Sequence, residues 1–215
     1  MELTELANLI KGRRSIRRWQ DKQVSEELLL QAIELATWAP SGGNQQNWYF
    51  YVIVNRDTIK AIADAVQAKA DQIASWPEAD KLGDVARFRD RAAFFRSAPA
   101  LIAVAAAQYR SAVDLVLAAR GKTDPQVKQI HEWRNVANSR IQSVSAAITY
   151  LLLIFHQMGL GALWMTGPMQ AKEDIEKILK VSPETDIVAL IPVGYPDESP
   201  TSTRRPIGEV TEIVR

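Results

Sequence analysis

The most restrictive feature of the chain lies in its second half. Ala137, Ile141, Val144, Ile148, Leu151, Phe155 and Met158 recur at three- and four-residue steps, the spacing that aligns one face of an α-helix. A helix of about 20 residues with this much apolar surface has to be covered on most of its sides, so the remaining elements must be arranged around it. Gly-Leu-Gly at 159–161 ends it, and Ala-Leu-Trp-Met at 162–165 is expected to enter a strand. The apolar tract from Val144 to Met165 is long enough to raise a membrane span. Tyr150, His156, Gln157, Gly159 and Gly161 interrupt it, which favours a buried helix running into a buried strand.

Three further segments read as strands. WYFYVIV (Trp48 to Val54) is aromatic and β-branched, while PALIAVAAA (Pro99 to Ala107) and DIVALIPVGYP (Asp186 to Pro196) are continuous apolar runs closed by turn residues. Helices are expected between them. Leu3, Leu6, Leu9 and Ile10 precede a C-capping Gly12, and Ser25 caps a second helix, with Val24 and Leu29 as its hydrophobic staple, that runs until Pro40. Asp57 is expected to start a third helix from the cap position, with Ile59, Ile62, Ala63 and Val66 sharing a face. Residues 70–96 read as helical with a break near Pro77, and Gly121 and Asp124-Pro125 cut 109–133 into short pieces. Glu173 to Leu179 is helical, and 207–214 is either an edge strand or an arm reaching a partner. Strands separated by helices imply an α/β or α+β layered architecture with long crossovers. No repeat or linker divides the 215 residues, so a single domain is expected.

The chemistry is bounded by what is missing and by what is clustered. Twenty-six Lys and Arg face 25 Asp and Glu, a net charge of +1, and there is no cysteine. No general field draws in nucleic acid, and thiolate or sulfur-ligated metal chemistry is excluded. The acidic start MELTELANLIKG does not read as a signal peptide, which points to the cytoplasm. Against this balance GRRSIRRW (Gly12 to Trp19) packs four arginines into eight residues. In an extended stretch Arg13, Ser15 and Arg17 face one side, where rigid guanidinium forks beside a hydroxyl can grip a phosphate. Arg204 and Arg205 form a second basic pair that could close the same site. A solvated face is the plain alternative.

Neither GxGxxG nor GxxxxGK[ST] occurs, and GxSxG and HExxH are also absent. The two histidines, His131 and His156, do not make a metal site; His156 reads as a core residue of the long helix and His131 as a surface or pocket-rim residue. SGGNQQN (Ser41 to Asn47) offers amides on a flexible backbone, able to meet the edge of a heterocycle or simply to form a turn. Thr166 and Gly167, in WMTGP, could present backbone donors to a ligand.

RRSIRRW, APSGGNQQNW, the long helix into GLGALWMTGP, IPVGYP and RRPIGEV stand in the order found in the nitroreductase family of FMN-dependent oxidoreductases, which the chain resembles from about residue 10 to residue 212. The resemblance implies an α+β fold with a central mixed sheet flanked by helices around the long buried helix. It also implies an intimate homodimer with exchanged arms and FMN at the interface. The segment matching Arg13, Arg14, Ser15 and Arg17 would hold the FMN phosphate, helped by Arg204 or Arg205. Pro40, Ser41, Gly42 and Asn44 would lie along the isoalloxazine, with Met165, Thr166 and Gly167 beside its central ring. Two positions depart from the familiar pattern: Ser202 stands in place of a lysine, and Tyr150 in place of an asparagine.

The implied reaction is ping-pong. NADPH or NADH reduces FMN by hydride transfer and leaves, and a planar, electron-poor acceptor such as a nitroaromatic or quinone takes its place, with no side chain needed as catalyst. Residues 70–133 would form the substrate side, with Phe88, Phe94, Phe95, Tyr109 and Trp133 as candidates for a stacking wall or, equally, for core packing. No metal, membrane or nucleic acid enters this reading. Two rivals stay open: a flavin enzyme that oxidises its substrate or reductively removes a substituent, and a nucleotide- or nucleic-acid-binding module without redox chemistry.

Overall fold

A computed structural model of the chain describes residues 2–81 and 83–215. Helix α1, Leu3–Gly12, is closed at its start by a capping box between Glu2 and Glu5 and buries none of its residues. Helix α2, Glu26–Ala36, begins where the Ser25 hydroxyl accepts the Leu28 N–H. Val24 and Leu29 join one buried cluster, as a hydrophobic staple requires. Strand β1, Trp48–Ile53, follows, and then helix α3, Arg56–Ala74. The cap of α3 is Asn55 rather than Asp57: its side-chain Oδ1 accepts the Thr58 N–H at 2.8 Å. Asp57 instead occupies the first turn, where a carboxylate favourably meets the positive end of the helix dipole.

A turn at Trp76-Pro77 ends this helical stretch before α4, Val85–Arg91, and strand β2, Ala100–Ala107. Helices α5, Ala112–Arg120, and α6, Pro125–Ala137, form a hairpin broken where Gly121 and Asp124-Pro125 were expected to break it. Helix α7, Ser139–Gln157, is the long periodic helix. Ala137 belongs to α6, because Asn138 adopts a left-handed conformation (φ 42°) and bends the two helices at a single residue while capping α7 through its side chain. Ser143, Val144, Ala147, Ile148, Leu151 and Phe155 of α7 are buried, whereas Tyr150 remains 42% exposed, so one face of the helix is uncovered.

Strand β3 is shorter than expected, only Gly161–Ala162. It runs along β4, Thr185–Gly194, which helix α8, Lys172–Leu179, precedes. Opposite Leu163 stands Pro192, which can accept the Leu163 N–H through its carbonyl but has no N–H to return. The ladder therefore stops, and the segment rejoins β4 through a single bridge between Met165 and Leu190.

The sheet order is β1-β2-β4-β3, with every named pair antiparallel. Its parallel component is the bridge from Ser15 to Ala162, which makes the sheet mixed and binds the arginine segment to its edge. β2 is buried on both faces, which accounts for its continuous apolar sequence. Ile102 and Val104 pack with Leu29, Ile148, Leu151 and Phe155 on the α2–α7 face. Leu101 and Ala103 pack with Ile59, Ile62, Phe95 and Ile175 on the α3–α8 face. Residues 201–215 are all exposed, and among them only Ile207–Glu209 forms a short 3₁₀ turn. No edge strand forms among these residues. Among the described residues no helix is long and apolar enough to cross a membrane.

Candidate functional site

The arginine segment is extended, as its alternation requires, because the Ile16 N–H donates to the Ala162 carbonyl at 3.2 Å and the Trp19 indole donates to the Gly161 carbonyl at 2.8 Å. Ile16 and Trp19 point into the fold and are buried. The contact is close enough that a Cβ at Gly161 would meet Ile16 Cγ1 at 2.6 Å. With the apolar side anchored, Arg13, Ser15 and Arg17 turn outward and line a cavity of about 240 Å³. Ser202 and Arg204 close the same cavity from the far end of the chain. Arg14 borders it too while its guanidinium donates to the Lys11 and Arg13 carbonyls behind α1. Arg205 does not line this cavity.

The electrostatics of this cradle are unbalanced. Burial first, then the charges of Arg204 and Arg14, lower the pKa of Arg13. Arg14 Nε is buried without a partner. The carboxylate of Glu198 is engaged elsewhere: it accepts the backbone N–H groups of Arg17 and Arg18 and pairs with Arg18 Nε at 3.3 Å. Mutually repelling donors around one small volume fit a multiply charged anion such as a phosphate group.

Arg17 also borders a larger cavity of about 520 Å³, lined on one side by Met165, Thr166 and Gly167 and on the other by α4. Phe88 approaches that turn: a Cβ placed on Gly167 would lie 4.0 Å from its ring. Phe94 lines the same cavity and stacks on Trp19 with centroids 6.3 Å apart. The arginine-lined cavity and this second cavity thus share Arg17.

The loop at 41–47 lies in a different place. Gly43, Asn44 and Gln46 all have positive φ (59°, 52° and 47°), which costs the glycine nothing but is strain at Gln46 and Asn44 that surrounding contacts must sustain. The Ser41 hydroxyl accepts the Gln46 N–H, and the Gly42 N–H donates to Ser143 on α7 at 3.1 Å. Pro40, Ser41 and Gly42 line a cavity of about 450 Å³ together with Ser139 and Ser143, and Asn44 stands exposed beside it. Tyr109 packs against Gly42, 3.2 Å from where a Cβ would be. The cavity lined by Pro40, Ser41 and Gly42 takes in none of the arginine segment, and the two cavities that Arg17 borders take in none of residues 40–44.

Two more positions separate from the substrate side. Phe95 is fully buried beneath the sheet, the core-packing alternative. Trp133 is 64% exposed on α6. His156 is half-buried and borders the arginine segment rather than the core, its imidazole next to Gly12, with its pKa lowered by burial and by Arg13 and Arg14. His131 is half-buried near Asp114. Ser143 and Glu198 escaped sequence reading: the first looks like any helix serine, and the second acts on backbone 181 residues away.

The α+β fold sets an arginine-lined cavity beside a second one with Phe88, Phe94 and Met165 on its wall. A model of the nitroreductase family matches residues 10–195, and the chain belongs to that family. It is a flavin-dependent oxidoreductase. A BluB-like flavoprotein from Clostridium difficile 630 superposes with a TM-score of 0.86 at 30% identity, covering all of both chains. The oxidized iodotyrosine deiodinase bound to FMN and 3-iodo-L-tyrosine gives a TM-score of 0.70 at 25% identity, covering 98% of this chain and 97% of that one. The iodotyrosine deiodinase of Thermotoga neapolitana is 28% identical over 90% of this chain and 89% of its own.

Proposed function

We propose that the whole chain acts as one FMN-binding unit, paired with a second copy, that carries reducing equivalents from NADPH or NADH to a small electron-poor acceptor such as a nitroaromatic or quinone. One observation carries this reading: arginines from residues 13–17 and Arg204, almost the full chain apart, converge on one cavity that shares Arg17 with the flat apolar cavity beside Met165–Gly167. FMN, when bound, supplies the hydride and electron transfer, with donor and acceptor served in turn.

The residues of this chain bind and orient. Arg13, Arg14, Arg17 and Arg204, with the Ser15 hydroxyl, hold the phosphate. Ser202, which replaces a lysine of the familiar pattern, accepts from Arg204 at 3.2 Å and steadies that guanidinium. Thr166 and Gly167 offer backbone beside the ring, and Phe88 shields it from water.

Pro40–Gly42 and Asn44 serve the site of the second copy, which is supported by their separation from the arginine cavity within one chain. The uncovered apolar residues of α1, Tyr150 on α7 and the exposed 201–215 arm support the same pairing.

The test is anaerobic mixing of the purified protein with NADH and with NADPH while flavin absorbance near its visible band is followed, then addition of quinones and nitroaromatics. Bleaching by either donor and recovery with an acceptor is expected; a colourless protein retained on a polyanion column would defeat the reading. The deiodinase relatives favour a second reading, reductive removal of a substituent, which iodide release from 3-iodo-L-tyrosine by the reduced protein would establish.

A further inference from the structure

The 520 Å³ cavity carries positive charge beyond Arg17, the residue it shares with the arginine-lined cavity. Helix α4 presents Arg87 and Arg91 to it, four residues apart and therefore on one helical face. Arg89, out of that register, does not border the cavity and pairs with Asp90 at 3.0 Å. The next arginine, Arg96, pairs with Asp64. Among the described residues neither Arg87 nor Arg91 forms an ion pair with a carboxylate. The one acid on the wall, Asp84, is engaged as the cap of α4, its carboxylate accepting the Arg87 N–H at 3.0 Å. Phe88 lies between the two arginines in sequence, and Phe94 and Met165 supply further apolar wall.

A neutral aromatic would use the flat wall and leave two guanidiniums idle. An aromatic acid uses both, its ring against Phe88 and Phe94 and its carboxylate on the arginine forks. We propose that the acceptor, in the reaction proposed above, is an aromatic carrying a carboxylate, and that Arg87 and Arg91 select it. The inference rests on that redox reading for the word acceptor, but the binding site itself does not.

The test has a binding arm and a turnover arm. Calorimetric titration of the protein as purified with benzoate and with benzamide needs no reduction, and benzoate should bind at least about tenfold more tightly, the loss typical of one charge-assisted contact. In turnover, the ratio of kcat/KM for 4-nitrobenzoate to that for 4-nitrobenzamide should fall about tenfold in R87Q/R91Q and stay at the wild-type value in R89Q. Equal binding of the acid and the amide overturns the proposal. So does an R87Q/R91Q variant that keeps the acid-to-amide ratio but loses preference for NADPH over NADH, because the arginines would then serve the phosphate of the donor. A protein that binds benzoate selectively yet is reduced by neither nicotinamide would refute the redox reading and leave this anion site standing.

Discussion

Two charged clusters at opposite ends of the molecule are built in opposite ways. At the start of β4, Asp186 pairs with Lys172 at 2.8 Å and with Arg140, Lys172 also pairs with Glu176 at 2.9 Å, and Glu176 accepts the Ile187 N–H. Arg140 also donates through Nε and Nη2 to the Ala107 and Ala106 carbonyls at the end of β2. Every charge there has a partner, and the result ties α7, α8, β2 and β4 together. The arginine segment has the same chemistry of guanidiniums beside strand ends, but its cations face one another. One network balances itself and ties the fold together; the other leaves Arg13, Arg14 and Arg204 facing one another.

The comparison breaks most easily at the cradle. Replacing Arg13 and Arg17 by alanine should weaken FMN binding by about a hundredfold or more, two charge-assisted contacts at roughly tenfold each. The ligand-free protein should melt within about 2 °C of wild type, since little of that cluster stabilises the fold. Unchanged affinity in a fluorescence titration would mean that the phosphate lies elsewhere.

Gly161→Ala probes the joint between the two kinds of structure. Its methyl group would press on Ile16, which carries the arginine segment, so a cost of about 1–3 kcal/mol is expected. Both the melting temperature and FMN affinity should drop; a fall in stability alone would show that the segment does not need its seat on the sheet.

The smallest effect is expected from Asp186→Asn, about 1–2 kcal/mol of stability, or a few degrees in Tm, with FMN affinity unaltered. Hydrogen bonds from Lys172 and then Arg140 hold the Asp186 carboxyl below its usual range. A carboxyl depressed in the folded state contributes stability above its unfolded pKa and loses it as the pH falls through the folded one. Wild type should therefore lose more of its Tm between pH 7 and pH 3 than the asparagine variant does, and parallel curves would remove Asp186 from the account of acid stability.

Much of this arrangement was legible one residue at a time. β1, β2 and β4 announced themselves as apolar runs, Ser25 as a cap, and the α7 face as a periodic stripe, because each depends on neighbours within a few residues. The outward alternation of Arg13, Ser15 and Arg17 was legible for the same reason. The length of β3 was not, since Pro192, thirty residues from Ala162, ends the ladder. Phe94 and Phe95 are adjacent and chemically identical, yet one lines a cavity and the other is sealed in the core.

The sequence by itself determined most of the elements, the family pattern and a local cluster of arginines, because periodicity, capping and side-chain type are short-range properties. Tertiary structure alone decided that Arg204 meets Arg13, that Glu198 seats the backbone of Arg17 and Arg18, and that Arg87 and Arg91 flank the same cavity as Met165. Those meetings are set by how the sheet packs its two layers of helices, and distance along the chain carries no record of it.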